Sequence, residues 1–110
     1  MYWLDLGEPA GSGPGLRHPY AVVQSDLFNV SRIRTVVVCE LTSNLQRAEA
    51  PGNVLLRKGE GGLDRASVVN VSQIYTVDRA DLAEKIGELS QDRIREISVG
   101  LKLLLDARQV

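Results

Sequence analysis

The sequence predicts a mainly β domain with short helices, an α+β chain that closes on one amphipathic helix. Three observations carry this reading. Short β-branched runs recur between turns rich in glycine, proline and asparagine, the pattern of a small barrel or sandwich. One of these runs is apolar without a break from Val36 to Cys39, as a strand buried on both faces requires. After Ser90 the apolar period changes to steps of three and four, which belongs to a helix. At 110 residues the chain supplies one core and one domain, spanning 1–110.

The first strand is read at 1–6, where aromatic and aliphatic residues surround one acid. The segment 7–15 then holds four glycines and two prolines, a density no regular element survives, and is expected to be a loop that covers or binds something. Strands follow at 19–24 and 33–41, the second central to the sheet. Further strands are expected at 53–56 after the Pro51-Gly52 turn, at 67–71 after Gly61-Gly62, and separately at 74–77. A short helical turn is expected around 79–84. From Ser90 onward, Ile94, Ile97, Leu101, Leu104 and Leu105 form one apolar stripe, with Ser90 as N-cap and Asp92 in the first turn. Gly100 lowers helix propensity by about 1 kcal/mol relative to alanine, a cost that close approach of another element would explain.

Composition excludes several classes. Hydrophobic residues at 44% and charged ones at 25% are ordinary for a globular chain and rule out a disordered or fibrous design. No apolar run reaches the roughly 18 residues of a membrane span, and the N-terminus has no secretion-signal pattern, so a cytoplasmic location is expected. The lone Cys39 is read as a buried thiol, in keeping with a reducing compartment. One histidine and one cysteine leave no evident ligand set for zinc, and the glycines of 7–15 match neither a P-loop nor a dinucleotide fingerprint. A net charge of −1 is not that of a protein that coats nucleic acid, yet residues 11–58 carry six basic side chains against three acidic ones. Such a patch suits a few phosphate contacts and equally suits a solvated face.

Taken in order, YWLDL, the glycine-rich loop ending at Arg17 before Pro19, AVVQSD, TVVVCELTSN, PGNVLL, ASVVNVSQI, TVDRADL and the final helix resemble the MazF/PemK toxin family. The resemblance covers almost the whole chain and rests most on P-x-x-V-V-Q-S-D, then L-T-S-N, then S-V-V-N-V-S-Q-I, in that order and spacing. It implies an SH3-like barrel of the MazF/CcdB type and a homodimer. It also implies a type II toxin-antitoxin toxin, an endoribonuclease that cleaves single-stranded mRNA through the 2′-hydroxyl with neither metal nor cofactor. The expected inhibitor is a cognate antitoxin whose C-terminal tail lies across the RNA groove.

The family's catalytic arginine immediately precedes the proline of its motif, where this chain has His18; Arg17 matches the first of the two arginines many relatives carry. The catalytic threonine corresponds to Thr42. Some relatives use a glutamate after the Gly-Ser step, where this chain has Gly13, and the family's opening Arg-Gly-Asp has no counterpart. The resemblance therefore assigns Arg17, His18 and Thr42 to catalysis, and Ser43, Asn44, Asn70, Gln73 and Tyr20 to RNA contacts. The chemistry fits those residue types. Cleavage needs a proton acceptor, a proton donor and groups that hold the phosphorane, and an imidazole exchanges protons near neutrality. Hydroxyls and amides read base edges, though amides in a strand equally satisfy backbone neighbours; Tyr20, Phe28 and Tyr75 offer rings for stacking and equally suit the core.

Read without the resemblance, the same residues have plainer roles. His18 can simply start a strand beside Pro19, and Thr42-Ser43-Asn44 is a turn-forming triplet. Trp3 belongs to the core or to a dimer contact. Two other functions also stay open: a CcdB-like toxin that binds DNA gyrase and cleaves nothing, and an SH3-like module that binds an extended peptide.

Overall fold

Strand β3, Thr35–Thr42, is the middle of a five-stranded sheet ordered β1-β2-β3-β5-β4 in the computed structural model, which describes residues 1–4 and 17–108. The other strands are β1 (Tyr2–Leu4), β2 (His18–Val22), β4 (Val54–Leu56) and β5 (Ser67–Asp78). Every pairing is antiparallel. A four-residue helix α1 (Asp26–Asn29) follows β2, and α2 (Gln91–Leu104) closes the chain. The expected mainly β, α+β architecture with a C-terminal helix is therefore present. The loop expected at 7–15 and the end of the first strand lie outside the described residues.

The unbroken apolar run in β3 has a direct cause, because both faces of the strand are covered. Cys39 and Leu41 join Ala21, Val54, Leu56, Val69, Val71 and Ile97 in the main core. Val36 and Val38 point the other way and pack with Leu4, Tyr20 and Val77 in a second cluster. Alternation along the pleat sends successive side chains to opposite faces, so a strand that feeds two cores must be apolar throughout.

Two expectations about elements need correction. The strands read at 67–71 and 74–77 are one strand, β5. Its register against β3 jumps between the pairs Cys39–Ile74 and Leu41–Val69, so that residues 70–73 of β5 stand opposite Glu40 alone. The polar residues Asn70, Ser72 and Gln73, which look like a turn in sequence, are a bulge. The helix stripe is also narrower than expected. Ile97 and Gly100 are buried and Leu101 is half-buried, whereas Ile94, Leu104 and Leu105 are exposed. The helical turn expected at 79–84 is a shorter 3₁₀ turn, Arg79–Asp81, capped by Asp78.

The caps and glycines behave as the sequence suggests. The Ser90 hydroxyl accepts the Arg93 backbone N–H at 3.2 Å, which fixes the start of α2. Gly100 lies against Gly52, and a Cβ on Gly100 would overlap the Gly52 carbonyl oxygen. Gly52 itself turns at φ +82°, a left-handed conformation that favours glycine. Helix α2 thus meets the turn before β4 backbone to backbone. Arg79 fastens α1 to the end of β5, donating from Nη1 to the Asn29 carbonyl at 2.8 Å and from Nη2 to the Phe28 carbonyl at 2.6 Å. Among the described residues no helix is long and apolar enough to cross a membrane.

Candidate active site

The far ends of β3 and β5 make a polar concavity of about 310 Å³. Thr42 ends β3 there, and its Oγ1 accepts the Asn44 backbone N–H at 3.1 Å. Asn44 in turn caps a 3₁₀ turn, Leu45–Glu49, by accepting the Gln46 N–H at 3.2 Å. The β5 bulge supplies Asn70, Ser72 and Gln73, and Glu40, Arg47 and Asn53 complete the polar lining.

A hydrogen-bond network holds this lining. Asn53 accepts the Val71 N–H at 2.9 Å and donates to the Arg47 carbonyl at 2.8 Å, pinning the 3₁₀ turn to β5. Asn70 Oδ1 accepts from the Ser72 hydroxyl at 3.0 Å and, at 3.5 Å, from Asn53 Nδ2. Tyr75 donates its hydroxyl to Gln73 Oε1 at 2.9 Å. Beneath them the Cys39 thiol donates to the Asn70 carbonyl, with Sγ and O 2.9 Å apart. Burial, and then the charge of Glu40, push that thiol up to about 12, so it stays protonated and serves as a donor.

Arg17 and His18 approach from β2. His18 is the first residue of that strand, exposed, and on the same face as Tyr20. Tyr20 pairs with Glu40 across the β2–β3 ladder, and that register carried two residues further aligns His18 with Thr42. The Arg17 guanidinium lies over the Trp3 ring, 5.5 Å from its centroid, on the face opposite His18.

The fold is shared with known proteins. A family model described as "PemK-like, MazF-like toxin of type II toxin-antitoxin system" matches residues 1–105. This chain belongs to that family. Its relatives include Endoribonuclease MazF6 of Mycobacterium tuberculosis and Endoribonuclease MazF2 of Mycobacterium bovis. Each is 44% identical over 106 residues, covering 96% of this chain and 93% of the relative. Among solved structures, the M. tuberculosis toxin MazF-mt6 superposes with a TM-score of 0.77 at 17% identity, covering 98% of this chain and 97% of that one. A mycobacterial endoribonuclease in complex with its cognate antitoxin gives 0.76 at 23%, covering 99% and 93%. MazF from Deinococcus radiodurans gives 0.72 at 26%, covering 96% and 92%.

In this MazF-like toxin the concavity gathers four of the residues singled out from sequence: Thr42, Asn44, Asn70 and Gln73. Ser43 is exposed in the turn beside them without lining the concavity, and Arg17 and His18 stand at the neighbouring strand start. Tyr20 needs correction as a stacking residue. It is 3% exposed and packs edge-on against Tyr75, with centroids 6.1 Å apart, so it has no free ring face to offer a base. Sequence reasoning missed Glu40, Arg47, Asn53 and Ser72 as lining residues. For Glu40 a signal existed, since it is two residues before Thr42 on one strand and so shares its face. For Asn53 none did, because its role depends on bonds to two distant backbone groups.

Proposed function

We propose that this chain is a type II toxin that cleaves single-stranded RNA in the concavity beside Thr42, by attack of the 2′-hydroxyl and without a metal ion. The observation that carries this is the convergence of Thr42, Asn44, Asn70 and Gln73 on one polar surface, in a chain 44% identical to named endoribonucleases. In this reading His18 exchanges a proton with the reacting nucleotide and Arg17 swings from Trp3 to hold phosphate. Thr42 and Ser43 donate hydroxyls, while Asn44, Asn70 and Gln73 read base edges. The gyrase-binding and peptide-binding alternatives draw no comparable support from the relatives.

The same reading includes a homodimer in the cytoplasm, an SH3-like barrel, and a cognate antitoxin whose C-terminal tail occupies the concavity. Barrel curvature is supported by the main core, where Met1 beside one sheet edge meets Val54 and Leu56 of the other. The exposed Val99, Leu103, Leu104 and Leu105 of the α2 end form an apolar surface that a second copy would cover. The antitoxin partner is supported by family membership and by a solved mycobacterial endoribonuclease in complex with its cognate antitoxin.

Digesting a long single-stranded RNA with the purified chain in EDTA, and mapping the cut sites, tests the function. Cuts at one recurring short sequence are the expected result. Intact RNA, or cutting only when a divalent cation is restored, contradicts it.

A further inference from the structure

Glu40 lines the concavity two residues before Thr42, on the same face of β3. Among the described lining residues it is the only acid, and Arg47 is the only cation. Ion pairs elsewhere among the described residues include Arg93 with Glu60 and Glu96, and Lys85 with Glu88. Among the described residues neither Glu40 nor Arg47 has an ion-pair partner within 4.0 Å. An acid and a cation are thus presented to one polar concavity without an ion pair to each other or to another described residue.

The backbone is shaped around this acid. The β3–β5 register jump leaves Glu40 alone against residues 70–73, whose Asn70, Ser72 and Gln73 line the same concavity. From β2 the Tyr20 hydroxyl donates to Glu40 Oε2 at 3.4 Å, and the buried Tyr20 ring braces it against Tyr75. One carboxylate oxygen is therefore oriented. Among the described residues, Tyr20 reaches Glu40 from β2, Arg47 lines the same concavity, and the rest of the polar lining, Thr42, Asn44, Asn53, Asn70, Ser72 and Gln73, is neutral. None of these neutral side chains can accept a proton from an alcohol.

We propose that Glu40 is the general base of the cleavage reaction, which rests on the ribonuclease reading above. The Glu40 carboxylate takes the proton of the ribose 2′-hydroxyl as the 2′-oxygen bonds to phosphorus. The bond from phosphorus to the 5′-oxygen then breaks, and protonated His18, two residues before Tyr20 on the same face of β2, gives its proton to that oxygen. One proton enters on Glu40 and one leaves from His18, so the products are a 2′,3′-cyclic phosphate and a 5′-hydroxyl, and exchange with water resets both groups. Arg47 holds the phosphate within the same concavity.

The test measures single-turnover cleavage of a long single-stranded RNA by the full-length chain, as wild type, Glu40→Gln and Glu40→Ala. Glu40→Gln is expected to lower the rate by about 100-fold or more, the usual contribution of a general base, with RNA affinity within about threefold of wild type. Loss of the acidic limb of the pH–rate profile should accompany it. Added formate should restore a measurable part of the rate to Glu40→Ala, which a purely structural role would not allow. If wild type cuts and Glu40→Gln keeps its rate and pH profile, Glu40 is not the base, whatever else the toxin does. If Glu40→Gln fails to fold, formate rescue of Glu40→Ala decides, and absence of rescue overturns the proposal. Wild type that cuts no RNA overturns the ribonuclease reading and this assignment with it.

Discussion

His18 begins β2 on the same face as Tyr20, which pairs with Glu40 two residues before Thr42. Its imidazole is exposed, so truncation removes chemistry and little packing. His18→Ala should therefore reduce RNA cleavage by about 10²- to 10⁴-fold, the range for one acid or base, while the melting temperature stays within a degree or two of wild type. Cleavage at the wild-type rate would remove His18 from the mechanism. Cys39 gives a second residue-level expectation, this time for stability. The native thiol is held protonated up to about 12, whereas the unfolded thiol ionises from its ordinary value of 9.0. Above pH 9 the unfolded chain binds fewer protons than the native one, so stability falls as pH rises, by up to about 1.4 kcal/mol per pH unit, until the native thiol also ionises. Urea midpoints measured across that window should decline more steeply for wild type than for Cys39→Ala; parallel declines would show that the thiol is not the cause.

Elements were legible where one rule decided them. The period of α2, its Ser90 cap and the two-faced burial of β3 all follow from side-chain pattern alone, and the structure has each. The bulge in β5 was not legible, because Asn70, Ser72 and Gln73 carry turn composition while their backbone stays extended. Pairing with β3 on both sides of residues 70–73, through Val69 and Ile74, holds the strand through that local preference. The same non-locality hid the site, since Asn53 and Arg47 reach the concavity only after the 3₁₀ turn folds back. Gly100 sets two rules against each other. Helix propensity alone says Gly100→Ala gains about 1 kcal/mol. The overlap of a Cβ with the Gly52 carbonyl says the helix must shift, which costs about 1 to 3 kcal/mol. The packing term is the larger, so the variant should melt several degrees below wild type; a rise in melting temperature would show that α2 and the β4 turn do not meet as described.

At the scale of the whole molecule, the polar concavity and the exposed apolar end of α2 are separate surfaces, and the proposed homodimer uses the second. Light scattering should give twice the chain mass for wild type, and charge introduced by Leu103→Lys or Val99→Lys should shift it toward the monomer. A monomeric wild type at micromolar concentration would remove the homodimer from the account. Fold and family were legible across nearly the full sequence, while the partition of roles among His18, Thr42 and Glu40 needed the register that joins β2, β3 and β5. The central claim is that this register assembles a site for attack by the 2′-hydroxyl. Mass spectrometry of the ends left on a long single-stranded RNA, cut by the purified chain in EDTA, tests it most directly. A 2′,3′-cyclic phosphate on the upstream fragment and a 5′-hydroxyl on the downstream one are the expected ends. A 3′-hydroxyl with a 5′-phosphate, or RNA left whole, would contradict the account.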